Sequence, residues 1–297
     1  MLMYLYLVLI GLGAGFLGSI VGIGGGIIIV PLLSLLMKIP IQNAIGTSLV
    51  AVMATSISAS RLFFNKGLTN LKTGLALETF TTAGAITGSI LISYIKSNIL
   101  FGLFGLITLV SAYFSYRKNI SQQKKNDGET DNGQVLLLQS RINDIENDAE
   151  KKNKEGMDYY YDNASKQTIY YKVKNYPAGF STSFIAGIMS GLLGVGGGFI
   201  KVPTMNLVMN VPMKVATATS NYMIGITAVA SSVIYLAKGF IIPDITAAVV
   251  IGVLAGGTAG SFTAYRIKNR YIVIILIVIF IIFGINMILK AFGLNLF

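Results

Sequence analysis

The decapeptide GIGGGIIIVP at Gly22–Pro31 returns as GVGGGFIKVP at Gly194–Pro203, 172 residues later. The offset runs on without a gap: Pro40 falls on Pro212, Ala44 on Ala216, Thr47-Ser48 on Thr219-Ser220 and Lys66-Gly67 on Lys238-Gly239. Farther on, Gly84, Gly88 and Ser89 fall on Gly256, Gly260 and Ser261. Between Gly15 and Gly67, 18 of 53 positions equal their partners, which shared apolar composition does not explain. The chain therefore holds two copies of one unit, each broken by a glycine run. At membrane depth, irregular backbone survives only where protein buries it or it lines a cavity. Duplicated membrane units with broken helices are a transporter's plan.

Composition supports the membrane setting. Apolar residues make up 54% of the chain and charged ones 12%, about half the usual globular share. Residues 117–174 carry 11 of the 23 Lys/Arg and 10 of the 12 Asp/Glu; outside them only Glu78 and Asp244 are acidic. The net charge of +11 thus reflects basic residues flanking apolar segments, not a nucleic-acid partner. Without Cys or His, disulfides, thiolate metal sites and a histidine proton switch are excluded, and no cofactor is expected. The opening MLMYLYLVLIGLG lacks the basic start and cleavage site of a signal peptide and reads as a first membrane segment.

A crossing needs about 20 mostly apolar residues. The clearest are 44–64, 74–95 and 98–116, with counterparts at 214–237, 244–265 and 271–290. Ahead of each trio lies an apolar helix (3–21; 180–193), the glycine run, and a stretch too short to span (27–37; 199–211). Each such unit is a re-entrant hairpin or a pair of tilted spans. The expected fold is an all-α polytopic membrane protein of two inverted repeats with eight to ten membrane segments. Residues 1–117 form the first repeat, 118–176 a polar insert and 177–297 the second repeat. Within the insert, 134–155 has helical apolar spacing, and 158–176 reads as a hairpin around an Asn163-Ala-Ser165 turn. The insert is a solvated linker or a regulatory or dimerising element, so a homodimer stays open.

Orientation follows from the basic residues. Arg61, Lys66 and Lys72 around loop 65–73 share a side with Arg117, Lys118, Lys172 and Lys174. In the second copy the bias moves to the opposite loop, with Arg266, Lys268 and Arg270, which predicts inversion. The insert is then cytoplasmic and both termini lie outside a cell membrane.

Several motifs invite a chemical reading. GAGFLG at 13–18 matches a dinucleotide fingerprint, but no acid follows at the required distance, and close helix packing explains the glycines. The runs Gly24, Gly25, Gly26 and Gly196, Gly197, Gly198 lack the Lys-Ser/Thr of a phosphate loop. They do supply bare amides at a helix start, which favour an anion. Lys201 adds a charge within an apolar helix, as a substrate contact or a snorkelling side chain. Asn43, Thr47 and Ser48, matched against Thr219, Ser220 and Asn221, add hydroxyl and amide groups near the start of a span. Capping is the plainer reading for Asn43. Glu78 reads as an interfacial, solvated carboxylate, with a proton-coupling role as the weaker alternative.

The paired G-x-G-G-G-x-x-x-V-P motifs and the ATATSNY stretch at Ala216–Tyr222 resemble the TauE/SafE sulfite exporter family, over about 3–117 and 177–292. The resemblance implies a multi-pass permease for sulfur-containing anions such as sulfite, thiosulfate or organosulfonates. It also implies that Gly24–Gly26, Pro31, Gly196–Gly198 and Pro203 shape the transport site. The expected function is a non-enzymatic secondary transporter whose partners are a small sulfur-containing anion and the lipid bilayer. An anion channel and a non-transporting membrane scaffold are the alternatives.

Overall fold

The structure, a computed structural model, describes residues 2–21, 24–126, 158–162, 167–263 and 269–294. In the first half α1 spans Leu2–Val21, α2 Gly26–Pro31, α3 Ile41–Asn65, α4 Leu71–Leu91 and α5 Ser97–Asn126. A hairpin of β1 (Asp158–Asp162) and β2 (Gln167–Tyr171) follows. The second half holds α6 (Tyr176–Leu193), α7 (Gly198–Pro203), α8 (Met213–Ala237), α9 (Pro243–Thr263) and α10 (Asn269–Ala291). α2, α3 and α4 recur as α7, α8 and α9 with both ends displaced by the same 172 residues. The helix 134–155 and the turn at 163–166 lie outside the described residues. α5 runs to Asn126, past the expected start of the insert.

Local chemistry repeats with the offset. Pro31 and Pro203 lack an N–H, so the regular ladder cannot continue, and each short helix passes into one π turn, Leu32–Leu36 or Thr204–Val208. Lys38 and Asn210, which are equivalent, both end that turn at positive φ (55° and 58°). Pro40 and Pro212 then take extended backbone (ψ 138° and 140°) and start α3 and α8.

Packing is reciprocal between the halves. α1 lies on α9 while its equivalent α6 lies on α4; α3 packs on α8, and α5 on α10. Small residues permit the close contacts, as in many membrane helix pairs. A Cβ on Gly15 would sit 2.6 Å from the Val253 carbonyl oxygen, and Gly84, Gly88, Gly256 and Gly260 meet partner backbone just as tightly. Of the GAGFLG glycines, Gly15 and Gly18 serve close packing as expected, whereas a Cβ on Gly13 would meet nothing within 4 Å. The self-equivalent pairs run antiparallel. Gly102 faces Ala291 and Gly105 approaches Gly284 and Ile288, while Ser56 on α3 donates to the Asn221 carbonyl on α8.

The outward faces are apolar. Leu5, Leu9, Ile57, Val233 and Ile251 are each more than half exposed, while Ser19, Thr47, Thr55, Ser220 and Thr227 are buried. That is the reverse of a water-soluble surface. α1, α3, α4, α8 and α9 hold segments long and apolar enough to cross a bilayer. The chain is an all-α, multi-pass membrane protein carrying one small hairpin.

That hairpin, expected from the YYY and IYY runs, pairs Asp158 with Tyr171 and Asp162 with Gln167. It docks on the α3–α4 loop, where Asn70 Nδ2 donates to Asp158 Oδ2 and to Tyr171 OH, both at 2.9 Å. Asn70 also caps α4 by accepting from the Thr73 amide. Loop 66–70 and the end of the insert therefore lie together, as their shared basic character implied.

Candidate functional site

The two glycine turns converge at the centre of the α3–α8 contact. Gly24, Gly25, Gly196 and Gly197 have φ of 83°, 76°, 81° and 71°, left-handed values that interrupt the helix in both copies. A Cβ on Gly24 would meet Val52 and Ile224, and one on Gly196 would meet the same two side chains. Val52 and Ile224 are themselves repeat equivalents, both fully buried. Gly26 approaches the Gly194 carbonyl and Ser48 Oγ. Each turn is thus braced by the other repeat, and α2 folds back along α3 toward its start.

Around this centre the expected polar residues divide by what they touch. Asn43 Nδ2 donates to the Phe240 carbonyl at 3.3 Å, so its amide tethers the α8–α9 loop instead of capping α3. Thr47 pairs with Thr246 at 3.1 Å, and Thr219 accepts from the Asn70 amide at 3.0 Å. Ser48 Oγ donates to the Gly194 carbonyl at 2.9 Å, locking the second glycine turn to α3. Ser220 and Asn221 stand apart. Both are fully buried, yet Ser220 Oγ and both amide atoms of Asn221 have no partner. Buried polar atoms are rarely left this way, because each forfeits about 1–3 kcal/mol of hydration.

Lys201 does not snorkel; it is held inside the protein by an ion pair. It rises from the first turn of α7, with its Cε 3.5 Å from where a Gly197 Cβ would lie. It is 2% exposed, which excludes snorkelling to an interface. Its Nζ donates to Glu78 Oε2 at 3.4 Å and to Thr227 Oγ1 at 3.0 Å. Thr227 Oγ1 lies 2.5 Å from Glu78 Oε1, and Thr82 donates to the same oxygen at 3.0 Å.

Glu78 is 3% exposed, so the expectation of a solvated interfacial carboxylate is corrected. The reason is packing. α4 lies between α6 and α8, and Glu78 is met there by Lys201 and Thr227 of the second repeat. Thr227 was not singled out from the sequence, although Thr55 and Thr227 match at the repeat offset and offered the signal. Among the described residues, no three Asp, Glu, His or Cys side chains gather as a metal centre.

A family profile described as sulfite exporter TauE/SafE matches residues 7–287. The chain belongs to the TauE/SafE family. The probable membrane transporter protein YunE of Bacillus subtilis is 28% identical, over 97% of this chain and 98% of that one. The probable transporter YdhB of the same organism is 25% identical over 88% and 89% of the two chains. The probable transporter MJ0441 of Methanocaldococcus jannaschii is 23% identical over 95% and 94%. No solved structure gives a significant match. Family and fold together make this TauE/SafE protein a membrane transporter.

Proposed function

We propose that the chain is a secondary transporter of a sulfur-containing anion, of the sulfite, thiosulfate or organosulfonate class, working by alternating access between inverted repeats. The observation that carries the site is the buried, unpartnered Ser220 Oγ and Asn221 amide, about one turn of α8 before Ile224, which meets both glycine turns. Hydroxyl and amide donors in a low-dielectric interior suit an oxyanion. Lys201, within reach of the second turn, supplies a positive charge. The name of the family supports sulfur chemistry in the substrate.

Inversion is supported by the antiparallel packing of α3 on α8 and of α5 on α10, since equivalent helices then run in opposite senses. The direct seating of Val52 and Ile224 between the glycine turns favours a carrier over an open channel. The basic residues around loop 66–70 and the insert support a cytoplasmic hairpin and external termini. The test is uptake into proteoliposomes of sulfite, thiosulfate, sulfate and methanesulfonate. Saturable uptake that accelerates against preloaded anion is expected of a carrier. Linear, non-exchanging flux overturns the carrier reading.

A further inference from the structure

Repeat 2 carries Lys201 and repeat 1 carries Glu78, but their equivalents in the other halves are Ile29 and Val250. Thr227 has an identical equivalent in Thr55, whose hydroxyl simply donates to the Ala51 carbonyl at 3.0 Å. The same fold position is therefore built once with a buried ion pair and once with two aliphatic side chains. The architecture does not need the charges, and burying them is expensive. Charges retained at that cost, where the equivalent positions hold Ile29 and Val250, call for a use.

We infer that Glu78 is a built-in stand-in for the transported anion, holding Lys201 while the site is empty and releasing it on taking up one proton. The inference rests on the transport reading above and names its coupling ion and substrate charge. The step balances. One proton from the open aqueous side binds a Glu78 carboxylate oxygen, and the Lys201–Glu78 charge pair ends. The Lys201 ammonium then donates to one monovalent anion. The buried site is net neutral before, as carboxylate and ammonium, and neutral after, as carboxylic acid, ammonium and anion. A dianion leaves it one negative charge in excess, which a low-dielectric interior disfavours. The substrate class is thus a monoanion, moved with one proton and without net charge.

The surroundings isolate this pair. From α7 the group that faces Glu78 is Lys201, and from α8 it is Thr227; the titratable residues of α8 are Lys214, Tyr222 and Tyr235. From α6 the titratable side chain is Tyr176, which meets Thr73 instead, and α4 itself adds Lys72. Among the described residues Lys201 is the one cation in contact with the carboxylate. Thr227, within 3.0 Å of both charges, can keep a hydrogen bond to whichever form Glu78 takes.

The experiment uses the full chain in proteoliposomes with methanesulfonate as monoanion and thiosulfate as dianion, alongside sulfite and sulfate. Wild type is expected to take up methanesulfonate faster when the outside is acid, with no response to a clamped membrane potential. Its apparent affinity should weaken about tenfold per pH unit on the alkaline side, as one linked proton requires. E78Q, a neutral isostere, should lose that pH dependence and the drive from a pH gradient. Where E78Q does not fold, Glu78→Asp keeps the carboxylate and should shift the profile along the pH axis.

Saturable uptake with an unshifted pH profile in these variants overturns the stand-in role and leaves the transport reading intact. So does uptake that follows the membrane potential, or thiosulfate preferred over methanesulfonate. No saturable uptake of any of the four anions by wild type overturns the transport reading itself.

Discussion

Replacing Gly197 with alanine separates two costs that the glycine turn avoids. Gly197 has φ 71° and ψ 1°, a left-handed conformation that strains an L residue by about 1–2 kcal/mol. The new Cβ would also lie 2.9 Å from the Ala186 carbonyl oxygen, closer than real Cβ atoms approach a neighbour. Backbone on α6 cannot yield as a side-chain tip can, so overpacking adds about 1–3 kcal/mol. Gly239 provides the control: its φ is 72°, and a Cβ there meets nothing within 4 Å. Gly239→Ala should therefore show the dihedral strain alone. The expected gap between the two variants is the overpacking cost, about 1–3 kcal/mol. The assay is the apparent unfolding midpoint in one detergent at one scan rate, since membrane-protein melts are commonly kinetic, followed by uptake. Gly197→Ala melting with Gly239→Ala and transporting like wild type would refute the packing described for this turn.

Four further outcomes are expected. Ser48→Ala removes the bond to the Gly194 carbonyl and should cost about 1–2 kcal/mol. Ser220→Ala removes a hydroxyl with no partner, so the melting midpoint should hold or rise while anion affinity falls; an unchanged affinity takes Ser220 out of the site. Burial raises the Tyr171 phenol from 10.0 to about 12, so the folded form holds this proton more tightly than the unfolded one. Its contribution to hairpin docking is whole below pH 10 and is lost as pH rises toward about 12, and Tyr171→Phe should delete that late step from a phenolate absorbance titration. A single cysteine at Asn126, in a chain that has none, should be labelled only from the cytoplasmic side; labelling from outside in intact cells reverses the assigned orientation.

The repeat made most of the architecture legible, because each break and proline recurs at one offset and each has a local physical effect. Gly25 and Gly197 break the helix at positive φ, as their lack of Cβ suggests, and Pro40 and Pro212 open α3 and α8. Side-chain partnership was less readable. Asn43 and Thr219 sit in similar sequence surroundings to Ser220, yet tertiary contacts engage the first two and leave the third alone. Glu78 lies 123 residues from Lys201. No periodicity links positions that far apart, so sequence alone makes a carboxylate near a span's end look solvated. Only the packing of α4 between α6 and α8 reveals its burial.

The shared plan of the two halves bears on which side the transporter faces at rest. In the alternating access proposed above, the two copies exchange conformations and the molecule turns inside out, so perfectly equal copies would populate both forms equally. Any preference must come from positions where the copies differ. The pairing of Glu78 with Lys201 opposite Ile29 and Val250 is the largest such difference in charge among the described buried residues. An imbalance of about 1.4 kcal/mol already sets a tenfold ratio between two states. On that proposal, one ion pair decides which compartment an otherwise symmetric carrier waits on, and a proton that cancels it resets the choice.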